Sequence, residues 1–218
     1  MQASASQRRK LIWILVLILL LILLALIGSC RACTPPGGED GGGDGGKVVF
    51  ASQATFNGNL GNFAGADTKC QSAANGAGLS GTFKAWLSGR IDTVANGGGT
   101  QHAANRMTHS AGAYVLSTGT KVADNWADLT DGSLDHGIDR DEHGNPVDGS
   151  VWTNTTVAGM AVDHTRDCGP GSAATAVWGS ADQFESGHFG NVGDSGASWT
   201  TNTNTACNNS FHLYCFEQ

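Results

Sequence analysis

Asp163 and His164 carry side chains that could do chemistry, and they lie a few residues before Cys168. A carboxylate beside an imidazole can hold a metal ion or transfer a proton. The seven histidines of the chain, however, show no H-E-x-x-H pattern or other helical spacing of metal ligands. We therefore predict no metal centre and no cofactor, and we retain Asp163 and His164 only as candidate ligand-binding residues.

A second chemical motif is Gly193–Gly196, which reads GDSG and matches the tetrapeptide around the nucleophile of trypsin-like serine proteases. Such a serine needs a histidine base and an aspartate to orient it, and too few residues follow Ser195 to complete that fold. We interpret the motif as a glycine-rich polar loop. No nucleophile, base and orienting group occur at a suitable separation elsewhere, so we predict that the chain is not an enzyme.

Residues 139–150, DRDEHGNPVDGS, partly match a calcium-binding EF-hand loop. Asp139, Asp141 and Gly144 fit the first, third and sixth positions of that loop. Ser150 stands where a bidentate glutamate is required. The sequence HGNP within the segment favours a hairpin turn between two strands. We therefore predict a structural turn here.

An apolar segment, residues 11–27, precedes every element that could position these side chains. As a helix it would be about 26 Å long, close to the hydrocarbon thickness of a bilayer. Arg8, Arg9 and Lys10 come just before it, and positive charge there holds the N-terminus in the cytoplasm. The residues that follow are therefore expected to be translocated.

Residues 1–30 have more than one possible fate. An apolar residue and two small residues precede Cys30, which resembles the lipidation signal of bacterial lipoproteins. The apolar segment is longer than the core of an ordinary signal peptide, so a retained membrane anchor and full secretion stay open as alternatives. In each case we expect the rest of the chain to lie outside the cytoplasm, in the cell envelope at the outer membrane or the cell surface.

Residues 31–46 are predicted to be a flexible tether, because glycine and aspartate dominate and Pro35 with Pro36 excludes a helix. Cys33 lies in this tether: if Cys30 is lipidated, Cys33 is left as an odd thiol, free or paired with another molecule, and if the helix is retained, both cysteines could be acylated or paired. From Lys47 onward the composition becomes that of a folded domain. We therefore divide the chain into 1–30, 31–46 and 47–218.

The charge balance disfavours nucleic acid and anionic membrane surfaces as partners. The chain has 12 basic and 19 acidic residues, and three of the basic residues lie before the apolar segment. The remainder carries nine basic against 19 acidic residues, which disfavours electrostatic binding to nucleic acid or to an anionic membrane surface. We expect membrane association only through an N-terminal lipid or helix.

The domain is predicted to be α+β and rich in loops. Ala66, Cys70, Ala73 and Ala77 recur at helical spacing, which indicates one amphipathic helix over 65–79. Short apolar segments among glycine, asparagine and aspartate turns indicate strands. These segments are 48–52, 82–88, 113–118, 121–126, 150–155, 176–180, 197–200 and 211–218.

Four cysteines lie in the domain: Cys70, Cys168, Cys207 and Cys215. An even number in an oxidising compartment indicates two disulfides, and three connectivities are possible. A bond from Cys70 to Cys215 would tie the helix to the last strand, whereas a bond from Cys207 to Cys215 would close only a local turn. The absence of C-x-x-C spacing disfavours a zinc site.

Several stretches of the domain together resemble a known fold. The stretches are 56–88, 121–138, 141–155 and 197–218. They resemble a bacterial family of exported domains of unknown function, similar to the endostatin branch of the C-type-lectin-like fold. The resemblance implies a loop-rich, mostly antiparallel sheet with one or two helices, and a binding scaffold without established catalytic residues. It also implies nested disulfides, Cys70 with Cys215 and Cys168 with Cys207.

One departure limits what this resemblance implies. Sugar-binding C-type lectins carry a Glu-Pro-Asn or Gln-Pro-Asp triplet and a Trp-Asn-Asp triplet, whose oxygens hold calcium and sugar hydroxyls. Neither triplet occurs in this sequence. Calcium-dependent sugar binding is therefore not implied, and we predict that Trp126, next to the similar letters Asp124 and Asn125, belongs to the core.

We expect an envelope-anchored, extracytoplasmic binding module that recognises a carbohydrate or protein ligand through the loop between Cys168 and Cys207. Trp178 lies in this loop among small and polar residues, and we expect it to be exposed and able to stack on a sugar ring. Asp163 and His164 complete the candidate ligand-binding residues. The alternatives are a structural envelope or matrix protein without a discrete ligand, or a hydrolytic enzyme on the same fold.

Overall fold

The structure is a computed structural model that describes residues 46–91, 99–169 and 177–218. The segment predicted as a signal peptide or anchor, 1–30, and nearly all of the predicted tether lie outside the described residues. Within the described ranges, no helix combines the length and the apolar character needed to cross a membrane.

The described part of the chain is an α+β domain dominated by sheet, with few helices and two disulfides, which confirms the predicted fold class at this level. The strands are β1 (Lys47–Ala51), β2 (Phe83–Ala85), β3 (Gly89–Ile91), β4 (Gly99–Gln101), β5 (Tyr114–Leu116), β6 (Lys121–Ala123), β7 (Ser150–Trp152), β8 (Ser186–Asn191), β9 (Thr203–Ala206) and β10 (His212–Glu217). The helices are α1 (Asn62–Gly76), α2 (Ala103–Arg106) and α3 (Trp126–Leu129).

Helix α1 matches the predicted amphipathic helix, although it begins and ends three residues earlier. Its buried residues are Ala66, Cys70 and Ala74, which are four positions apart and therefore lie on one face. Alanine also has the highest helix propensity. Because the alanines on this face are small, the helix can pack closely enough for Cys70 to bond to a strand of the sheet.

Strand β10 lies at the centre of the main sheet. The strand order is β6-β5-β1-β10-β7-β8-β9, and β2 also pairs with β10. β10 is antiparallel to β1 and β2 and parallel to β7. The sheet is mostly antiparallel, as predicted, with parallel pairs at β1–β5 and β7–β10. Three strands therefore hold the C-terminal segment in place.

Alternate residues of β10 serve two separate core clusters, because side chains of a strand point to opposite faces. Leu213 and Cys215 pack in the cluster that contains the buried face of α1. Tyr214 and Phe216 pack in the other cluster, with Trp86 among their neighbours. The sheet therefore separates a face covered by α1 from a second face with its own aromatic core.

Two of the predicted strands do not form in the described residues, and several others are shorter than predicted. Residues 177–180 form a turn, and Ala197–Trp199 is a single turn of 3-10 helix. The predicted strand 121–126 ends at Ala123, because the Asn125 side chain accepts two backbone N–H groups and caps helix α3. Trp126, predicted to be core, is half-buried at the edge of the core. Its ring lies 5.9 Å from that of Trp86 and stacks on His109 with centroids 3.8 Å apart.

Candidate binding site

The structure pairs Cys70 with Cys215 and Cys168 with Cys207, which is the nested connectivity implied by the resemblance. All four cysteines are buried. The first bond joins α1 to β10. The second joins Cys168 to the residue directly after β9, at a Cα–Cα distance of 5.7 Å.

Both cysteines of the second disulfide hold the start of β8. The backbone N–H of Cys168 donates to the carbonyl of Ser186 at 3.1 Å, and that of Cys207 donates to the carbonyl of Glu185 at 2.9 Å. Gly187, the next residue, packs so closely that a Cβ there would lie 2.7 Å from the sulfur of Cys168. A covalent bridge and two hydrogen bonds therefore fix the backbone where β8 begins.

Residues 182–185, which we name the Phe184 turn, lie directly before this fixed point. Asp182 shapes the turn, because its carboxylate accepts the N–H of Phe184 at 2.9 Å and its carbonyl accepts that of Glu185 at 3.3 Å. The Ser180 hydroxyl accepts the N–H of Asp182 at 3.1 Å. The side chain of Phe184 is 87% exposed. The turn therefore presents an aromatic ring to solvent on a backbone whose N–H groups at Asp182, Phe184 and Glu185 are hydrogen-bonded.

The prediction that Trp178 is exposed is wrong. Its side chain has no exposed surface and packs against Trp152, with ring centroids 5.8 Å apart. The indole N–H donates to the carbonyl of Ser88 at 3.0 Å, so the polar atom is satisfied inside the core. A positive φ of 52° turns the chain at this residue and directs the ring inward. Trp178 cannot stack on a sugar ring in this position.

The carboxylate of Asp163 accepts several hydrogen bonds next to His188 of β8. Its carboxylate accepts the backbone N–H groups of Thr165 and Arg166, both at 2.8 Å, and contacts His188 Nε2 at 3.0 Å. Burial opposes ionisation of this group, but the N–H groups and the His188 ring outweigh it and lower the pKa of Asp163. Because His188 belongs to β8, the contact with Asp163 helps to hold the strand that directly follows the Phe184 turn.

His164 does not join Asp163 around a common ligand. Its Nδ1 lies 2.8 Å from the hydroxyl of Thr100 in β4, whereas Asp163 contacts His188. The partner that sequence reasoning missed is His188, which is nearly buried and whose Nδ1 also contacts the carbonyl of Thr203. A sequence distance of 25 residues gave no signal for this contact. The ligand-binding roles of Asp163 and His164 stay predictions.

Two of the motifs serve as structural turns. Asp141 is buried, and its carboxylate accepts the N–H groups of His143 and Asn145, both at 2.8 Å, inside the predicted hairpin turn. In the GDSG motif, Asp194 accepts hydrogen bonds from Ser198 and from the side chain of Asn191, which lower the pKa of Asp194. Each of these two carboxylates accepts hydrogen bonds from nearby residues and so fixes the conformation of its own loop.

An acidic group that the sequence analysis missed lies beside helix α3. Asp124, Asp128 and Asp135 each have a carboxylate oxygen within 4.8 Å of the others. The ammonium of Lys121 bridges Asp124 and Asp135, and these hydrogen bonds raise the pKa of Lys121. The lysine therefore pairs with two of the three carboxylates.

The sequence matches no protein-family model and no curated protein. Function therefore has to be argued from the geometry of the site. The feature with the clearest chemical potential in the described residues is the Phe184 turn, because it combines an exposed aromatic ring with a fixed backbone. Its signal in the sequence was one aromatic residue among polar neighbours inside the Cys168–Cys207 loop.

Proposed function

We propose that the chain is an extracytoplasmic binding protein that recognises a carbohydrate through the Phe184 turn. The observation that carries this proposal is the 87% exposure of Phe184 on a turn held by the Cys168–Cys207 bond. Exposed aromatic surface contributes nothing to the stability of the fold, whereas covering it with a ligand is favourable. A rigid ring also loses little conformational entropy when a ligand binds.

The surroundings of Phe184 favour a sugar over a protein as the ligand. Among the described residues, Met160 and Phe184 are the large apolar side chains with substantial exposure. A stable protein interface buries about 800 Å² on each partner and has a largely apolar centre. One isolated ring with Asp182 and Gln183 beside it instead suits a single sugar ring, whose C–H face packs on the aromatic while its hydroxyls meet polar groups.

The location of the domain is part of the same proposal. Two buried disulfides support an oxidising, extracytoplasmic compartment. We propose that a lipid on Cys30 or a retained helix within residues 1–30 holds the domain at the envelope. The nested disulfides and the pairing of β1 with β10 support a C-type-lectin-like, endostatin-like fold.

A glycan array probed with the full-length protein in detergent micelles tests this function. The wild type and Met160→Ala, a change at the other large apolar residue that is exposed in the described part of the chain, are expected to bind the same glycans. Phe184→Ala is expected to lose binding by about tenfold or more, since one stacking contact and its buried area are removed.

Two results would contradict carbohydrate binding. One is a wild-type protein that binds no glycan, and the other is a Phe184→Ala protein that binds as well as the wild type. If cross-linking through position 184 instead captures a defined surface protein, the ligand is a protein. If the protein forms an ordered lattice without any ligand, the structural alternative is correct.

A further inference from the structure

A cleft of about 480 Å³ lies between helix α1 and the segment that follows β1. The residues that line it are distant in sequence from the Phe184 turn. This volume falls within the range of about 300–1,000 Å³ that is typical of small-molecule sites. Its lining includes Phe56, Gly65, Lys69, Ala73 and Glu142. Apolar side chains and glycine form part of the lining, and two of the residues carry opposite charges.

The two charged residues are held by neutral partners. Lys69 donates to the carbonyl of Leu60 at 3.0 Å, and its ammonium lies 5.4 Å from the centre of the Phe56 ring. The carboxylate of Glu142 accepts the backbone N–H of Gln53 at 2.9 Å, and the residue is only 8% exposed. The ion pairs of the described residues include neither Lys69 nor Glu142.

Both side chains retain unused hydrogen-bonding capacity. An ammonium has three donors, and Lys69 directs one to Leu60. A carboxylate has about four acceptor positions, and Glu142 uses one for Gln53. A largely buried carboxylate gains most from a charged donor, because charge-assisted hydrogen bonds are stronger than neutral ones.

The floor of the cleft is also fixed in place. The backbone of Phe56 exchanges two hydrogen bonds with Phe211, at 2.8 and 2.9 Å. The carbonyl of Phe56 also accepts the indole N–H of Trp152 at 2.8 Å. Sites that are built before the ligand arrives bind with a smaller entropic cost.

We propose that this cleft binds a small zwitterion of amino-acid or dipeptide size. The ammonium of the ligand lies against the carboxylate of Glu142, and its carboxylate lies against the ammonium of Lys69. The apolar part of the ligand packs between Phe56 and Ala73. The residues that line this cleft do not include any of the Phe184 turn.

Isothermal titration calorimetry on the full-length protein in detergent micelles tests this proposal. The probes are glycyl-leucine, the same dipeptide with an acetylated N-terminus, and the same dipeptide with an amidated C-terminus. The free dipeptide is expected to bind, and each blocked form is expected to bind about tenfold more weakly, because it loses one charge-assisted contact.

Two isosteric variants assign each charge to its residue. Glu142→Gln keeps an oxygen for the N–H of Gln53, and it should bind the free and acetylated dipeptides equally. Lys69→Met keeps the apolar stem, and it should bind the free and amidated dipeptides equally. Met160→Ala, at an exposed residue that belongs neither to the cleft lining nor to the Phe184 turn, should bind all three probes as the wild type does. The probe series does not use the Phe184 turn, so a failure of the carbohydrate proposal leaves this test intact.

The probe series on the wild type is decisive even if a variant fails to fold. No heat of binding for glycyl-leucine at millimolar concentration would overturn the proposal. Equal binding of the free and blocked dipeptides would overturn it as well, because the two charges of the cleft would then have no role.

Discussion

The two disulfides lie in the same buried cluster, but they join different kinds of structure. The Cys70–Cys215 bond links α1, the longest helix of the described residues, to the central strand, where regular hydrogen bonding surrounds it. The Cys168–Cys207 bond links a loop to the end of β9, and its backbone neighbours lead directly to an exposed ring. The same covalent device therefore stabilises the core in one region and presents a surface in the other.

Removing each disulfide should separate these roles. On the chain-entropy model, the Cys70–Cys215 bond, with a sequence separation of 145, contributes about 5 kcal/mol to the free energy of unfolding. The Cys168–Cys207 bond, with a separation of 39, contributes about 4 kcal/mol. Urea unfolding of the paired Cys→Ala variants measures both values.

The variants should differ more in binding than in stability. Below their unfolding transitions, the variant without Cys70 and Cys215 should keep the wild-type affinity for glycans. The variant without Cys168 and Cys207 should lose affinity, because the Phe184 turn is no longer fixed. Equal affinities in the two variants would contradict the division of roles.

Gly187→Ala probes the packing at the base of the Phe184 turn. The new Cβ would lie 2.7 Å from the sulfur of Cys168 and 3.0 Å from the ring of Trp152, so the strand must shift. We expect a loss of about 1–3 kcal/mol in the free energy of unfolding, measured by urea titration. Gly196→Ala is the control, since nothing lies within 4 Å of its added Cβ, and it should change stability by less than about 0.5 kcal/mol.

Asp163→Asn tests whether the carboxylate braces β8. The folded protein lowers the pKa of Asp163, so the carboxylate stabilises the fold above its unfolded pKa, and this contribution is lost as the pH falls through the folded value. The variant should therefore be less stable than the wild type at neutral pH, and the difference should shrink in acid. Urea unfolding from about pH 7 to about pH 3 measures this.

The exposed Asp148→Asn is the matched control, and we expect only a small stability difference across the same pH range. A stability difference between Asp163→Asn and the wild type that is constant with pH would show that the charge of Asp163 contributes nothing.

Phe184→Ala should have the smallest effect on stability. A side chain that is 87% exposed buries little area, so the free energy of unfolding should change by less than about 0.5 kcal/mol. A thermal melt of the variant beside Met160→Ala checks this. A loss of stability comparable to that of Gly187→Ala would mean that Phe184 packs against the fold and is not presented to a ligand.

The sequence predicts the helix and the central strands of the core well, because apolar residues recur there in regular patterns. Alanines and Cys70 at helical spacing located α1, and apolar runs located β1 and β10. The nested disulfide pairing came from the resemblance, since the cysteine spacing alone left three connectivities open.

The region around the Phe184 turn was harder to predict. Strands β8 and β9, SGHFGN and TNTA, lack apolar alternation and are held by pairing with each other and with β7. Composition suggested an exposed Trp178, but the fold buries it through a left-handed backbone and a bond to Ser88. The exposure of Phe184 depends on tertiary packing, which no local pattern records.

Hydroxyl-radical footprinting of the full-length protein, with and without the glycan that binds best on the array, reports whether Phe184 contacts the glycan. We expect glycan binding to protect Phe184 from oxidation and to leave unchanged the oxidation of Met160, the other large apolar residue exposed among the described residues. Equal oxidation of Phe184 in the free and bound protein would contradict the claim that the disulfide-held turn is the recognition surface.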